Sequence, residues 1–492
     1  MIQSYRKAGV PLVALECADP AAVLDGIRKG IVNGSTPPLV VWDCVRGINP
    51  ANEAGQELAA TLNNGQEAAI ATGNPVECLR ALQGLPEKAV AVLYGLGPLM
   101  ADPQAGAAIQ QALWNLRDTL KAVGACVVLT VPLGYKLPTS LANDVVTQVV
   151  PLPDETAIGE IADSLIRDAG LSPMTTDAKA ASVSALAGLS GFAAEQAFAL
   201  SLSKQGVDAA VLWERKRRLI EQTPGLSVWR GRETFKDVGG CNNAKRFFSQ
   251  LIAGNRKPRC VVFLDEIEKA LAGSGGSDTS GVSQGMLGAL LTFMQDEEAT
   301  GSIFIGPPGA AKSAVAKAVG AEAGCPTIAY DLGGMKASLV GESEARMRGS
   351  LQTCKAVGQG QILFLATCNS IGVLPPELRR RFTLGTFFFD LPTAEERFWI
   401  WPIWCKKYGL QTADLPDDEG WTGAEIRQCC DVADRLGVTL REAAGYVVPV
   451  SRSAADKIEE LRKMASGKFL SAAYAGVYKY EKTAPEGRRV EV

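Results

Sequence analysis

Residues 302–313 run from an apolar stretch, Ser302-Ile303-Phe304-Ile305, straight into Gly306-Pro307-Pro308-Gly309-Ala310-Ala311-Lys312-Ser313. A buried strand that breaks into a glycine-rich turn and then Lys-Ser confines a chain to α/β layers in which the turn leads into a helix N-terminus. Glycines let backbone N–H groups converge on phosphate oxygens, and the helix dipole favours the same anion. Lys312 supplies a point charge for the terminal phosphates of a nucleotide, and Ser313 a hydroxyl for Mg²⁺. Alone, such a turn could be an ordinary glycine loop. Some forty residues earlier, however, Val261-Val262-Phe263-Leu264-Asp265-Glu266 reads as a second buried strand ending in two carboxylates. By themselves those acids could cap a following helix. Beside a phosphate loop they suit hydrolysis of a nucleoside triphosphate, with Asp265 holding Mg²⁺ through water and Glu266 orienting the attacking water.

The 492 residues allow two to four domains. With 47% hydrophobic and 21% charged residues and a net charge of −3, the composition is that of an ordinary globular protein without a basic bias toward nucleic acid. There is no histidine, which excludes Ser-His-Asp and Cys-His catalysis and every His-containing zinc site. The twelve cysteines show no Cys-x-x-Cys spacing and read as reduced thiols of a cytoplasmic protein. No stretch reaches the ~18–20 apolar residues of a membrane span. The run Phe398–Cys405 is short and contains Pro402, and the N-terminus lacks a secretory pattern.

The first half offers five apolar strands, Pro11–Cys17, Leu39–Cys44, Val90–Leu96, Cys126–Val131 and Gln148–Leu152, separated by helix-like segments such as Gln104–Ala122. That alternation predicts a parallel sheet with helices on both faces. After Pro153 strands are expected to stop and helices to continue to about Gln222. The second half repeats the plan. Cys126–Val131, Leu137–Leu141 and Val149–Pro153 correspond to Gln361–Thr367, Leu374–Leu378 and Phe387–Pro392, and Gly188–Ala193 echoes Gly420–Glu425. Duplication of one sheet-plus-helices unit explains this, the alternative being chance similarity of two α/β domains. The first copy lacks the chemistry: its opening strand runs into Ala18-Asp19-Pro20-Ala21, and its third ends Tyr94-Gly95-Leu96-Gly97. It reads as a scaffold. The charge run Glu214–Arg218 reads as a solvated helix face, the alternative being a contact with phosphates.

Residues from about 235 to 450 resemble an AAA+ ATPase of the AAA clade. The resemblance implies a parallel-sheet P-loop NTPase core with a small helical lid, preceded by a degenerate copy. Expected boundaries are 1–155 for the degenerate domain, 156–228 for a helical subdomain and linker, 229–392 for the core, and 393–492 for the lid and C-terminal extension. Phe235–Gly240 is similar to the segment whose backbone holds adenine, which assigns Asp237, Val238 and Gly239 to the nucleotide together with the loop Gly306–Ala314. Ala366-Thr367-Cys368-Asn369 resembles the sensor strand, so Asn369 is expected at the γ-phosphate or attacking water. Leu374–Phe382 resembles the region that donates an arginine finger to a neighbouring subunit, here Arg380 or Arg381. Thr422–Ile426 resembles the lid element, bringing Gly423 and Ala424 to the nucleotide, with no arginine at that motif. Ala311 replaces the usual glycine before the lysine, as Ala-Lys-Ser also does in loops of minichromosome-maintenance helicases and MoxR-type ATPases.

ATP and Mg²⁺ are the implied cofactors. A site completed by the next subunit implies a ring, usually a homo-hexamer. Leu339–Glu342 lies where related motors place a substrate-gripping pore loop but lacks its aromatic residue, and Gly273–Gly285 suits either a second pore loop or a linker. The C-terminal Ile458–Gly467 helix and Tyr474–Arg489 tail are expected to dock a subunit or client, or to extend the lid. The whole chain resembles poorly characterised AAA ATPases of cyanobacteria, plastids and phages. In the family the phosphate loop precedes the Asp-Glu strand; here the Asp-Glu strand and its helix, residues 259–298, come first. The family's spatial strand order, five-one-four-three-two, tolerates that move with right-handed crossovers, so an unchanged site with altered connectivity is expected. The leading functional expectation is a motor that remodels a protein or protein complex. The alternatives are a nucleotide-gated oligomeric scaffold with slow hydrolysis and a DNA-processing accessory ATPase, the latter without support from any DNA-binding motif.

Overall fold

The computed structural model describes residues 2–31, 37–204, 206–271, 282–332, 342–370, 372 and 374–480. Residues 339–341 of the suggested pore loop, 273–281 of the Gly-rich stretch and 481–489 of the tail lie outside the described residues. The chain divides into two compact units, Met1–Lys216 and Arg217–Val492.

The first unit contains β1 (Leu12–Glu16), β2 (Leu39–Asp43), β3 (Gly47–Pro50), β4 (Val90–Tyr94), β5 (Cys126–Val131) and β6 (Val146–Val149). They form one sheet in the order β3-β2-β4-β5-β1-β6, parallel except for β3, which pairs antiparallel with β2. The central strands are apolar throughout because both faces are covered. Leu12 and Ala14 point into a core shared with Leu113, Leu116 and Leu120 of the helix Gly106–Val123. Val13 and Leu15 point the other way, onto Val23, Leu24 and Ile27 of the helix Pro20–Ile31. Helices Glu155–Asp168, Thr176–Leu186 and Gly191–Ala199 follow. The expectation that strands stop at Pro153 is corrected by a small hairpin, β7 (Leu202–Ser203) and β8 (Gly206–Val207). The last expected strand is also misplaced: β6 starts and ends earlier than Gln148–Leu152, because an edge strand with mostly exposed side chains carries little apolar signal. Lys216, expected on a solvated face, is instead buried, with its Nζ on the Ser184 carbonyl at 3.2 Å.

The second unit contains β9 (Leu226–Val228), β10 (Cys260–Leu264), β11 (Thr300–Ile305), β12 (Thr327–Tyr330), β13 (Ile362–Cys368), β14 (Thr386–Phe388) and β15 (Leu470–Ser471). Their order is β15-β14-β11-β13-β10-β12-β9, parallel except for β9. On one face Phe304, Phe387 and Phe389 pack with Phe248 and with Val315 and Val319 of the helix Lys312–Ala323. Each such fully buried phenyl ring stabilises by ~1.5–3 kcal/mol. On the other face Val262, Ile303 and Phe364 meet Leu290 of the helix Val282–Asp296 and Leu351 of the helix Glu342–Gly358. Helices Ala394–Tyr408, Gly423–Leu436 and Leu440–Ala444 share a separate small core around Trp401, Ile426, Cys429 and Ala443. The C-terminal helix Ala455–Ala465 is tied to the sheet through Asp390, which accepts from Arg462 Nε at 2.8 Å and Tyr478 Oη at 2.6 Å. Among the described residues no helix is long and apolar enough to cross a membrane.

Candidate nucleotide site

In a parallel sheet all strands deliver their C-terminal ends to one edge, where loops from different strands can meet. Register sets the level of each loop. Leu264, the last residue of β10, stands opposite Ala366 of β13, and Ile305, the last of β11, opposite Cys368. Asp265 and Glu266 therefore leave β10 beside Thr367, while Gly306 leaves β11 on the other side of the same strand. The two loops meet where Ser313 Oγ donates to Asp265 Oδ1 at 3.0 Å. Both residues, with Lys312, line one cavity of about 350 Å³.

Close packing demands glycine at two points of the phosphate loop. A Cβ on Gly306 would stand 2.0 Å from the Phe389 carbonyl oxygen, and one on Gly309 would stand 2.6 Å from Thr422 Oγ1. Ala311 adopts a left-handed conformation at φ +63° as the N-cap of the Lys312 helix. Its methyl does not prevent the loop from forming. Lys312 is buried, and its Nζ donates to the carbonyls of Gly306 and Pro307, both at 2.7 Å. Burial pushes its ammonium well below the ordinary lysine value, to about 8, with Glu268, Asp265 and Glu266 pulling the other way. Among the described residues no carboxylate forms an ion pair with this ammonium.

Thr367, to which the sequence assigned no role, joins the carboxylate pair. Its hydroxyl donates to Asp265 Oδ1 at 2.5 Å and accepts from the Glu266 N–H at 2.9 Å. Glu266 itself is left-handed, at φ +47°. Asn369 Nδ2 donates to Glu266 Oε1 at 3.2 Å, while Lys269 pairs with Oε2 of the same carboxylate. The Asn369 backbone N–H is held by Glu268 at 3.0 Å. Glu266 and Asn369 thus present an acceptor and a donor side by side at the cavity.

The rest of the cavity wall comes from the segment Asp237–Gly239, from Pro308, Gly309, Ala310 and Ala314, and from Gly423 and Ala424. Gly239 packs so tightly on the helix Ala394–Tyr408 that an added Cβ would meet Ile400 Cγ1 at 2.4 Å. The Lys245 ammonium binds the carbonyls of Phe235 and Val238, holding this segment in shape. Arg380 and Arg381 are not part of the cavity of their own chain. They end the helix Pro376–Arg381, where Arg380 is exposed and Arg381 donates to Gln295 Oε1 at 2.6 Å. The reading of the lid motif as free of arginine is corrected: Arg427, one helical turn beyond Gly423, lines the cavity together with Trp404. The spacing of four residues on a helix was the available signal.

Among the described residues no group of three or more His, Cys, Asp or Glu is placed to hold a metal. The oxygen pair of Asp265 and Ser313 fits Mg²⁺, which takes few protein ligands and completes its shell with water and substrate phosphates. Asp265 and Ser313 would hold the ion, and the ion would neutralise charge on the phosphates.

Each of the two units resembles a known family. The family model described as SpoVK-like AAA ATPase, N-terminal domain, matches residues 1–149. The model of the ATPase family associated with various cellular activities (AAA) matches in two stretches, 238–305 and 302–366. The chain is 23% identical over 479 residues to the uncharacterized AAA domain-containing protein ycf46 of Trieres chinensis, covering 86% of this chain and 85% of that protein. To the protein of the same description from Guillardia theta it is 20% identical over 526 residues, covering 94% and 93%. A crystal structure of the FIGL-1 AAA domain aligns with 17% identity and a TM-score of 0.31, covering 50% of this chain and 94% of that one.

Proposed function

Because this chain belongs to the AAA ATPases, with a SpoVK-like N-terminal domain ahead of its AAA domain, we propose that it hydrolyses ATP with Mg²⁺ at the cavity of its second unit. The single observation that carries the reading is the meeting of Asp265 with Ser313, at 3.0 Å, in the cavity that Lys312 also lines. Lys312 and the loop Gly306–Ala314 hold the phosphates, Asp265 and Ser313 hold the ion, and Glu266 with Asn369 positions the attacking water. The Asp-Glu strand is a family element moved ahead of the phosphate loop. Two observations support this: the AAA match falls in two stretches, and the sheet order around β10 equals that of the first unit. Arg380 or Arg381, outside its own cavity, completes a neighbour's site in a ring, and the cycle remodels a protein client.

The test is turnover by Glu266→Gln. The expected result is unchanged ATP affinity with hydrolysis reduced by about 10²-fold or more, the scale of a lost general base. Wild-type turnover no faster than this variant, with Mg²⁺ present, sinks the ATPase reading. Molar mass in solution with and without ATP tests the ring separately.

A further inference from the structure

Asn369 follows Cys368, the last residue of β13, and pairs with no strand. On one side β10 has already ended at Leu264, opposite Ala366, and on the other β11 ends at Ile305, opposite Cys368. The Asn369 backbone N–H is taken instead by a side chain, donating to Glu268 Oε1 at 3.0 Å. Glu268 lies in the first turn of the short helix Ile267–Leu271 that follows β10. Three bonds therefore tie the end of β10 to the end of β13. Two of them, from Glu266 N–H to Thr367 Oγ1 and from Asn369 Nδ2 to Glu266 Oε1, join residues that line the cavity. Glu268, which makes the third, does not line it. Its second oxygen, Oε2, is buried without a hydrogen-bond partner, and the nearby Cys368 thiol donates to the Ser370 carbonyl at 2.8 Å instead. A buried carboxylate oxygen left without a donor is costly, so the one bond this side chain makes to Asn369 calls for a role.

We propose that Glu268 is a positioning residue for hydrolysis: by holding the backbone of Asn369 it fixes the Asn369 carboxamide against Glu266. The inference rests on the ATPase reading of the cavity, in which Glu266 and Asn369 position the attacking water. Beyond the end of β13 no ladder bond fixes the direction in which Asn369 projects its side chain. A rotation of that backbone carries Nδ2 away from Glu266, and a displacement of about 1 Å at a group that orients a reactant costs up to about 100-fold in rate. The bond from Glu268 removes that freedom. It joins a neutral N–H to an acceptor oxygen, so the role needs the oxygen and the length of the side chain rather than the charge. Glutamine at this position keeps both, whereas leucine keeps the size and loses the acceptor.

The experiment measures ATP turnover with Mg²⁺, and ATP binding by calorimetry, on the full chain and on Glu268→Gln, Glu268→Leu, Asn369→Ala and the double variant Glu268→Leu/Asn369→Ala. Glu268→Leu should lower kcat by about 10- to 100-fold while ATP affinity stays within about threefold, because residue 268 does not line the cavity. Glu268→Gln should keep kcat within about threefold of wild type. In the Asn369→Ala background, Glu268→Leu should cost less than about twofold, since the carboxamide it positions is gone. Binding of ATP shows that each variant is folded, and Glu268→Ala repeats the test without the bulk of leucine. Equal losses from Glu268→Leu in both backgrounds, or a fall in affinity that matches the fall in turnover, would mean a structural role and overturn the proposal. A loss in Glu268→Gln as large as in Glu268→Leu would make the charge the working feature and overturn it too, as would unchanged kcat in Glu268→Leu. Failure of the ATPase reading looks different: wild type then turns over ATP no faster than Glu266→Gln, whatever stands at 268, and the positioning role falls with it.

Discussion

Both sheets place their parallel strands in one spatial order. In the first unit β6-β1-β5-β4-β2 is followed by antiparallel β3, and in the second β14-β11-β13-β10-β12 is followed by antiparallel β9. Along the chain they differ. The third of these parallel strands in chain order, β4, comes after β1 in the first unit, whereas its counterpart β10 comes before β11. Position in the sheet, rather than position in the chain, decides which loops meet, because the C-terminal ends of neighbouring parallel strands share an edge.

The units differ again at the loop itself. After β1, Asp19 Oδ1 accepts from the N–H groups of Ala21 and Ala22, both at 3.1 Å, and its Oδ2 accepts from Phe192 N–H at 3.3 Å. The start of the helix Pro20–Ile31 is thus occupied by the chain's own carboxylate. After β11 the corresponding helix begins instead with Lys312 and Ser313 behind a loop of glycines. One unit caps its helix N-terminus with a side chain, whereas the N-cap of the other, Ala311, makes no side-chain cap hydrogen bond.

The largest expected effect breaks the comparison directly. Lys312→Ala should reduce ATP affinity by about 100-fold or more, the scale of a charge-assisted phosphate contact in a desolvated site. Asp19→Ala should leave ATP affinity unchanged. Loss of ATP binding in the second variant would mean that the first unit is not merely a scaffold. Next in size, Asp265→Asn removes the carboxylate that would hold Mg²⁺. Stimulation of ATP turnover by Mg²⁺ should fall at least tenfold, and titration of the ion measures it.

A pH profile follows from the buried ammonium. The free-protein value for Lys312 is held near 8 by burial, and a bound triphosphate favours the charged form and raises it. ATP affinity should be flat below pH 8 and fall by up to about tenfold per unit above it, until the raised value is passed. For the empty protein the sign is opposite. The depressed folded value means the unfolded chain holds this proton longer, so stability contributed by this group is lower below pH 8 and rises between pH 8 and about 10.4. Flat affinity from pH 7 to 9.5 would contradict a charged lysine at the phosphates.

Much of this was legible in the sequence because β1, β4, β5, β10, β11 and β13 are buried along most of their length and carry runs of apolar residues. Edge strands β3, β9 and β15 were not, since two to four residues acquire strand conformation only from the neighbour they pair with. At the site, Asp265, Glu266, Lys312 and Ser313 announced themselves through spacing. Thr367 did not, because its role depends on cross-strand register between β10 and β13. Trp404 and Arg427 were hidden for a related reason: they reach the cavity only once two helices fold back over the phosphate loop.

A smaller effect comes from the helix cap of the first unit. Asp19→Ala removes an N-cap acceptor and should cost about 0.5–2 kcal/mol, seen as a lower unfolding midpoint without change in ATP turnover. A larger loss would show that the bond to Phe192 holds the helix Gly191–Ala199 in place as well.

The smallest effect should reverse sign between the units. Ala311 is left-handed at φ +63°, a conformation that costs an L-residue about 1 kcal/mol, whereas among the described residues none from Cys17 to Ala22 has positive φ. Ala311→Gly relieves that strain, and glycine's greater freedom in the unfolded chain takes part of the gain back, leaving a net stabilisation of about 0.5 kcal/mol. Ala22→Gly, within the helix Pro20–Ile31, has no strain to relieve and should destabilise by roughly 0.5–1 kcal/mol. Opposite shifts of the two midpoints in denaturant would mean that backbone strain is concentrated where the chain must wrap a phosphate. Destabilisation by both would instead show that the Ala311 methyl contributes packing that outweighs its backbone cost, and the strained turn would then be held by its side chain rather than tolerated in spite of it.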